Sequence, residues 1–290
     1  MLYILIAAIL WGTTGTIQTI APDTATPLTI GAVRMVVGGT SLFLMALARR
    51  KLHIRYMPIK YTLISAVSIS TFQPAFFSSV AITGVAVGTV VALGSAPVMA
   101  GMMEWILWKR APVKEWWIST FMAITGCLML FIANDAEISV DPVGILLALG
   151  AGFGFSIYII FSKELLLYND AETVVAIIFS ISALLLLPLL LIGDASWIVE
   201  PKGVVISIYL GVIATAGAYL FFASGLKRTT ASTAVTVTLA EPMTAALLGV
   251  FFVGETLTWL AWAGIGLIIL GLASLSLASK RKIVVREGIK

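Results

Sequence analysis

Glu241-Pro242 stands near the middle of a long apolar run, and packing alone accounts poorly for a carboxylate there. A central acidic residue costs roughly 2.5–3.5 kcal/mol on membrane-insertion scales, so it has to face a cavity or a partner. Proline at the next position removes a backbone donor and frees a carbonyl. The pair predicts a bent helix that carries a carboxylate and loose backbone acceptors at midplane. Such a group can couple proton movement or hold a substrate amine. It can equally be a structural ion pair, or a protonated Glu that locks two helices together.

Other polar residues fall inside apolar runs as well. Arg34 lies two turns into its segment, where it can pair with Glu241, snorkel outward or bind a substrate carboxylate. Glu104, one turn from a segment end, reads as snorkelling near Lys109 and Arg110, and Glu255 as a helix-end residue. Trp11, Thr14 and Gln18 recur at i, i+3 and i+7 and share a helix face. Gln73 precedes Pro74, with Phe76 and Phe77 one turn on. Tyr158, Tyr219 and Phe222 are aromatics nearer mid-span than the interface belts where such residues usually anchor. A cavity lined by these groups would suit a small organic solute of mixed polarity; simple aromatic packing is the plainer alternative. Thr233, Thr236 and Thr238 can bond their own helix backbone. Gly84-x-x-x-Gly88 and Gly150-x-x-x-Gly154 permit close helix approach.

Chemistry of other kinds finds no support. One cysteine, Cys127, excludes an internal disulfide and a cysteine-rich metal site. The one histidine, His53, sits among Arg49, Arg50, Lys51 and Arg55 in a basic loop. There is no G-x-x-x-x-G-K-[ST] phosphate loop and no H-E-x-x-H. No cofactor or metal is expected, nor an enzyme activity. A lipid-modifying enzyme would want clustered acids or nucleophiles at one interface, and the strongest carboxylate is at midplane instead.

The elements that must hold these residues follow from composition. The chain is 60% hydrophobic and 11% charged, with mean hydropathy +1.08. Soluble domains carry about a quarter charged residues. A helix crossing a hydrocarbon core needs roughly 20 apolar residues. Ten such runs occur, at about 2–21, 28–48, 61–80, 84–108, 115–133, 142–162, 172–192, 203–225, 230–253 and 257–278. Only Thr83-Gly84 separates the third from the fourth. The first run has no Lys or Arg before Arg34 and leads straight into the second, so it reads as a retained span rather than a signal peptide.

With ten spans, sixteen of the 18 basic residues fall on one side. Only Lys202 lies in an opposite loop, and Arg34 lies within a span. The positive-inside bias then places both termini in the cytoplasm, and the even count rests on charge as well as hydropathy. Because topology explains the basic residues, nucleic acid is not an expected partner. The expected partners are a small-molecule solute, protons and membrane lipid, with a monomer or homodimer as the unit.

The two halves also repeat. A shift of 145 positions aligns Phe76-Phe77 with Phe221-Phe222, Ser79 with Ser224, Pro97 with Pro242, Trp117 with Trp262 and Gly126 with Gly271. A slightly different shift pairs Trp11-Gly12 with Phe153-Gly154. The expected division is 1–134, 142–279 and a basic cytoplasmic tail at 280–290. Five spans per half is odd, so the second half is inverted. Inverted repeats are a transporter signature, because near-equivalent halves can open a central site alternately to each side. The symmetry is broken at Glu241, whose counterpart is Ala96, so Pro97 and Pro242 are expected helix breaks with unequal chemistry.

Trp11-Gly12-Thr13-Thr14, the stretch from Gly84 to Pro97, Ala240-Glu241-Pro242 and Gly254-Glu255 together resemble the EamA-type transporters of the drug/metabolite transporter superfamily. The resemblance spans nearly the whole chain. It implies an all-α membrane protein of ten helices, with a pathway formed mainly by segments one to four and six to nine and with five and ten toward the periphery. It further implies transport of small metabolites such as amino acids, amines or toxic amphipathic organics, frequently outward. Lys109-Arg110 stands where the first repeat would end in glycine-glutamate. The expectation is a secondary-active or facilitative exporter in a bacterial or archaeal cell membrane, working by alternating access. A channel or facilitator without ion coupling is the alternative.

Overall fold

In lipid every backbone donor and acceptor must be met within the chain, so apolar runs of this length become helices. The computed structural model describes residues 1–18, 21–22, 24–133, 141–254 and 256–287. Ten helical spans follow in order: α1 (Leu2–Gln18), α2 (Pro27–Ala48), α3 (Ile59–Gly84), α4 (Val87–Trp108), α5 (Lys114–Ile132), α6 (Pro142–Leu166), α7 (Ala171–Ile192), α8 (Pro201–Leu226), α9 (Ala231–Phe252) and α10 (Trp259–Glu287). Among the described residues, nine are long and apolar enough to cross a membrane, and the apolar part of α1 is shorter, at Leu2–Gly15. The expected ten-helix architecture is present, with no strand among the described residues. Asn134, Asp135, Glu255 and the end of the basic tail lie outside the described residues.

Local chemistry sets the boundaries. Thr26 and Asp141 cap α2 and α6, each with proline at the first helical position. Asp141 Oδ1 accepts from the Val143 and Gly144 amides at 2.8 and 3.0 Å. Between α3 and α4 the chain turns at Gly84, whose φ of 82° and ψ of 161° suit glycine alone. The faint boundary at Thr83-Gly84 is thus a real break. Pro74 and Pro97, in contrast, lie inside continuous helix.

The spans pair across the halves. α1 packs on α8 and α9, α6 on α3 and α4, α2 on α7, and α5 on α10. The last pair meets backbone to backbone. A Cβ at Gly126 would lie 2.6 Å from the Gly264 carbonyl and 2.7 Å from Ile268, and one at Gly271 2.8 Å from the Ser119 carbonyl and 3.2 Å from the Ala123 amide. Under the 145-residue shift Gly126 becomes Gly271, Ser119 becomes Gly264 and Ala123 becomes Ile268. The contact is therefore reciprocal: each glycine meets the counterparts of the residues that the other glycine meets. A Cβ at Gly84 or Gly150, by contrast, would find nothing within 4 Å, so neither serves the close approach their spacing would permit.

One end of the bundle is tied by polar contacts. It is the end where Arg49, Arg55, Arg110, Lys163 and Lys227 lie, here termed the basic end. Arg228 stacks over the Tyr3 ring at 5.2 Å, which brings the start of α1 to this end. Arg49–Glu172 and Arg110–Glu164 pair at 3.0 and 3.1 Å. Lys163 Nζ donates to the Leu226 carbonyl at 2.8 Å and so closes the end of α8. Asn169 accepts from the Arg55 amide and donates to the Tyr56 carbonyl, while Lys227 Nζ donates to the Asn169 carbonyl.

Glu104 belongs to this set, which corrects the expectation that it snorkels beside Lys109 and Arg110. It is 4% exposed, and its two carboxylate oxygens accept from the Ala231 and Ser232 amides at 3.3 and 3.0 Å. An α4 carboxylate thus satisfies the orphan amides that open α9, where the helix dipole also favours negative charge. Glu104→Ala should lower stability by about 0.5–2 kcal/mol, the usual loss for an N-cap. Thermal unfolding of the purified protein in detergent measures it, and Glu104→Gln should fall in between.

Candidate functional site

Proline at 242 leaves a carbonyl one turn earlier without a donor, and α9 tightens there into a single turn, the Leu239 amide bonding the Thr236 carbonyl at 3.2 Å. One α-helical stretch ends at Thr238, Leu239 takes φ −63° and ψ −6°, and the next begins at Ala240. Cys127 Sγ on α5 approaches the Leu239 carbonyl at 3.8 Å and supplies a weak donor. At the matching place α4 runs through Pro97 without a turn residue, and Ser156 Oγ of α6 approaches the neighbouring Ala96 carbonyl at 2.9 Å.

Just past this turn Glu241 lies against α1. A Cβ on Gly12 would lie 2.7 Å from Thr244 Cβ and 2.9 Å from the Glu241 carbonyl. Glycine is needed there so that the two backbones can approach. Glu241 is half-buried. Next to Gly12, the Trp11 ring is 5% exposed and packs on Tyr219 and Phe222 of α8, with centroids 4.8 and 5.4 Å apart. Its indole Nε1 is buried without a hydrogen-bond partner among the described residues.

Arg34 approaches from α2 and is 7% exposed. Its Nε donates to Thr215 Oγ1 at 3.2 Å, and Nη2 reaches the Ala214 carbonyl at 3.5 Å. Both partners lie in a π-helical stretch of α8, Tyr209–Gly217, of a kind often found at functional positions. Small residues let α2 reach it, since a Cβ on Gly38 would meet Thr215 Cγ2 at 2.6 Å. Among the described residues, the three ion pairs involve neither Arg34 nor Glu241. Of the pairing, snorkelling and ligand-binding alternatives for Arg34, the buried position rules out snorkelling, and no direct salt bridge to Glu241 forms.

The predicted aromatics converge. Tyr158 packs on Tyr219 and on Phe179, and Phe179 lies 4.4 Å from Tyr219. Phe155 links Trp11 to Phe72, and Phe72 continues to Phe76 and Phe77. Gln73 and Phe77 pack against α2 at Gly31, one turn from Arg34. Thr14 bonds back to the Trp11 carbonyl at 2.6 Å, the local role open to any helical threonine. Its neighbour Thr13 makes the inter-helix contact, 2.8 Å to Tyr209 Oη. Gln18 lies outside the described side chains. Thr236 and Thr238 bond their own helix, and Thr236 also meets Thr120 at 2.9 Å.

Counting residues from the basic end at about 1.5 Å each orders these groups by depth. Phe222, Tyr219, Tyr158 and Phe179 lie about 6–12 Å in. Trp11, Thr215 and Glu241 lie about 14–16 Å in, with Arg34 and Gln73 at about 21 Å. Tyr158, Phe179, Tyr219 and Phe222 thus lie nearer the basic end than the two charges. Phe155, Phe179, Thr215 and Tyr209 are site residues that the sequence does not single out. Phe155 stands beside the repeat-matched Phe153-Gly154; the others carry no local signal.

This layout sits within a known family. Two stretches, residues 1–132 and 142–277, match the EamA-like transporter family. The chain belongs to that family. It is 46% identical to the uncharacterized transporter YwfM of Bacillus subtilis, over 97% of this chain and 95% of that protein. It is 32% identical to the threonine/homoserine exporter RhtA of Escherichia coli, over 62% of this chain and 60% of that one. A solved structure superposes with a TM-score of 0.82 over 97% of both chains at 20% identity, a likeness of fold. The EamA membership makes this a multi-pass transporter, and Trp11-Gly12 and Glu241-Pro242, which carried the resemblance, are the residues that meet at the α1–α9 contact.

Two glycines of α1 test the contact. Gly12→Val should destabilise the protein by about 1–3 kcal/mol through overpacking against α9. Gly15→Val, whose Cβ has open space around it, should shift stability by no more than about 0.5 kcal/mol. Thermal unfolding of both variants in the same detergent reads the difference.

Proposed function

We propose that the chain exports small metabolites such as amino acids, amines or toxic amphipathic organics, and does so by alternating access. The observation that carries this is the proline turn in α9, which places a half-buried carboxylate beside a tight α1 contact. Local departures from regular helix at mid-depth are a common way for transporters to present a site. The reciprocal α5–α10 contact supports a second half that is an inverted copy of the first. The name of the relative RhtA, a threonine/homoserine exporter, supports outward movement of an amino acid.

On this reading the basic end faces the cytoplasm, following the positive-inside bias of the loops. The polar contacts of the basic end, with Tyr158, Phe179, Tyr219 and Phe222 beneath them, then close the pathway toward the cytoplasm. Opening that side requires the Glu104 cap, the Lys163 contact and the Arg110–Glu164 pair to rearrange. Glu241 is the coupling carboxylate. A mid-membrane acid that alternates between protonated and ionised forms exchanges a proton for solute at each reversal. Small solute, protons and lipid are the partners, in a monomer or homodimer.

Counterflow in liposomes tests the mechanism. The wild-type protein should show trans-stimulation by internal solute, as a carrier does. A channel would saturate only at very high solute and show no trans-stimulation. Glu241→Gln should lose the response to an imposed pH gradient while keeping solute exchange. Full proton-dependent exchange by that variant would reject the coupling role.

A further inference from the structure

We propose that the basic end binds the phosphodiester headgroup of an anionic membrane lipid, in a cavity between the α2–α3 loop and the α6–α7 turn. The cavity holds about 580 Å³, and neither Arg34 nor Glu241 lines it. Arg50, Lys51, His53 and Arg55 line it from the loop, and Lys227 from the end of α8. Asp170 is the one carboxylate on this lining, and it lies 3.5 Å from Lys227. Among the described residues no ion pair reaches Arg50, Lys51 or Arg55. Three cations thus face the cavity without a fixed counter-charge.

The backbone that carries these cations is held in place. The end of α2 closes as a Schellman turn, with the Arg50 and Lys51 amides on the Leu47 and Ala46 carbonyls at 3.0 and 2.9 Å. The Thr173 hydroxyl of α7 donates to the Lys51 carbonyl. Asn169, which is buried, grips the loop at Arg55 and Tyr56. A loop fixed in this way loses little freedom when it takes up a ligand. The positive-inside bias accounts for cations in this loop, but it does not gather cations from two separate segments around one cavity. Nor does the repeat need them. Under the 145-residue shift Arg50, Lys51, His53 and Arg55 become Ala195, Ser196, Ile198 and Glu200. Elsewhere at this end cations are taken up by the fold, Arg110 by Glu164 and Lys163 by the end of α8.

The rest of the lining selects a lipid over a free anion. Ile54, Leu167 and Tyr168 also line the cavity, and all three are exposed. Tyr56 packs edge-on against Tyr168, with centroids 5.3 Å apart. Tyrosine collects at headgroup depth, and the cavity lies directly beyond the ends of α2 and α6, where headgroups stand. Inorganic phosphate would meet the cations and leave these apolar groups uncovered. A lipid meets both, its phosphodiester oxygens on the arginine forks and its glycerol and upper chain on the apolar side. Basic pockets between spans are a recurring place for anionic headgroups. The lining comes from both halves of the chain, so a bound lipid would tie the halves together at this end.

The experiment heats the full chain in a neutral detergent with dioctanoyl phosphatidylglycerol, dioctanoyl phosphatidylcholine or inorganic phosphate at equal concentrations. Phosphatidylglycerol should raise the unfolding temperature along a saturating curve, and the other two should not. Replacing two cations together, Arg50→Gln with Arg55→Gln, should raise the half-saturating concentration about thirtyfold. Arg50→Lys with Arg55→Lys keeps the charge and should retain most of the effect, which separates lost charge from a disturbed loop. Lys60→Gln with Lys114→Gln removes the same charge from exposed positions at this end that do not line the cavity, and should leave the curve unchanged. An equal loss in that control pair, or an equal rise with phosphatidylcholine, would overturn the site. An equal rise with inorganic phosphate would overturn the lipid in favour of a soluble phosphate.

Discussion

Hydrocarbon offers no hydrogen bonds, and the rest of this structure depends on how the chain meets that constraint. Most backbone groups are met by continuous helix. The informative places are those where proline or a helix end frees a donor or acceptor and a side chain from another helix supplies the missing partner. Cys127 approaches Leu239, Glu104 meets the amides of α9, and Lys163 meets the last carbonyl of α8. Each repair joins two spans, so the backbone's need for partners also fixes the tertiary arrangement.

The two prolines differ in what surrounds them. At Pro97 the helix runs on. At Pro242 one turn residue, Leu239, precedes it, with the Cys127 thiol, a weak donor, near its carbonyl. Only the second position carries a carboxylate. Sequence matches the two prolines by position and leaves this difference to the neighbouring helices.

Much of the fold is legible in the sequence because a bilayer is a simple ruler. Segment length yields ten helices, and even the faint Thr83-Gly84 boundary is a glycine with a left-handed φ. Glu241-Pro242 is readable as a local irregularity because a proline next to a buried acid has few other outcomes. Glu104 misleads, since a carboxylate near basic residues looks like a snorkelling pair until the start of α9 is placed above it. Thr215 and Tyr209 are invisible because their role comes from a π-helical stretch, which leaves no mark in hydropathy. Helical spacing favours Thr14 over Thr13, yet Thr13 is the one that reaches another helix.

The reciprocal meeting of Gly126 with Gly264 and of Gly271 with Ser119 has a thermodynamic meaning. In a carrier whose two end states exchange the roles of its halves, a contact that maps onto itself has the same energy in both. It is degenerate, and contributes nothing to the preference between them. That preference resides where the halves differ. Glu241 stands opposite Ala96, and Glu104 opposite Gly249, under the same 145-residue shift. At those two positions the halves are chemically unlike, and the seam's degeneracy does not extend to them.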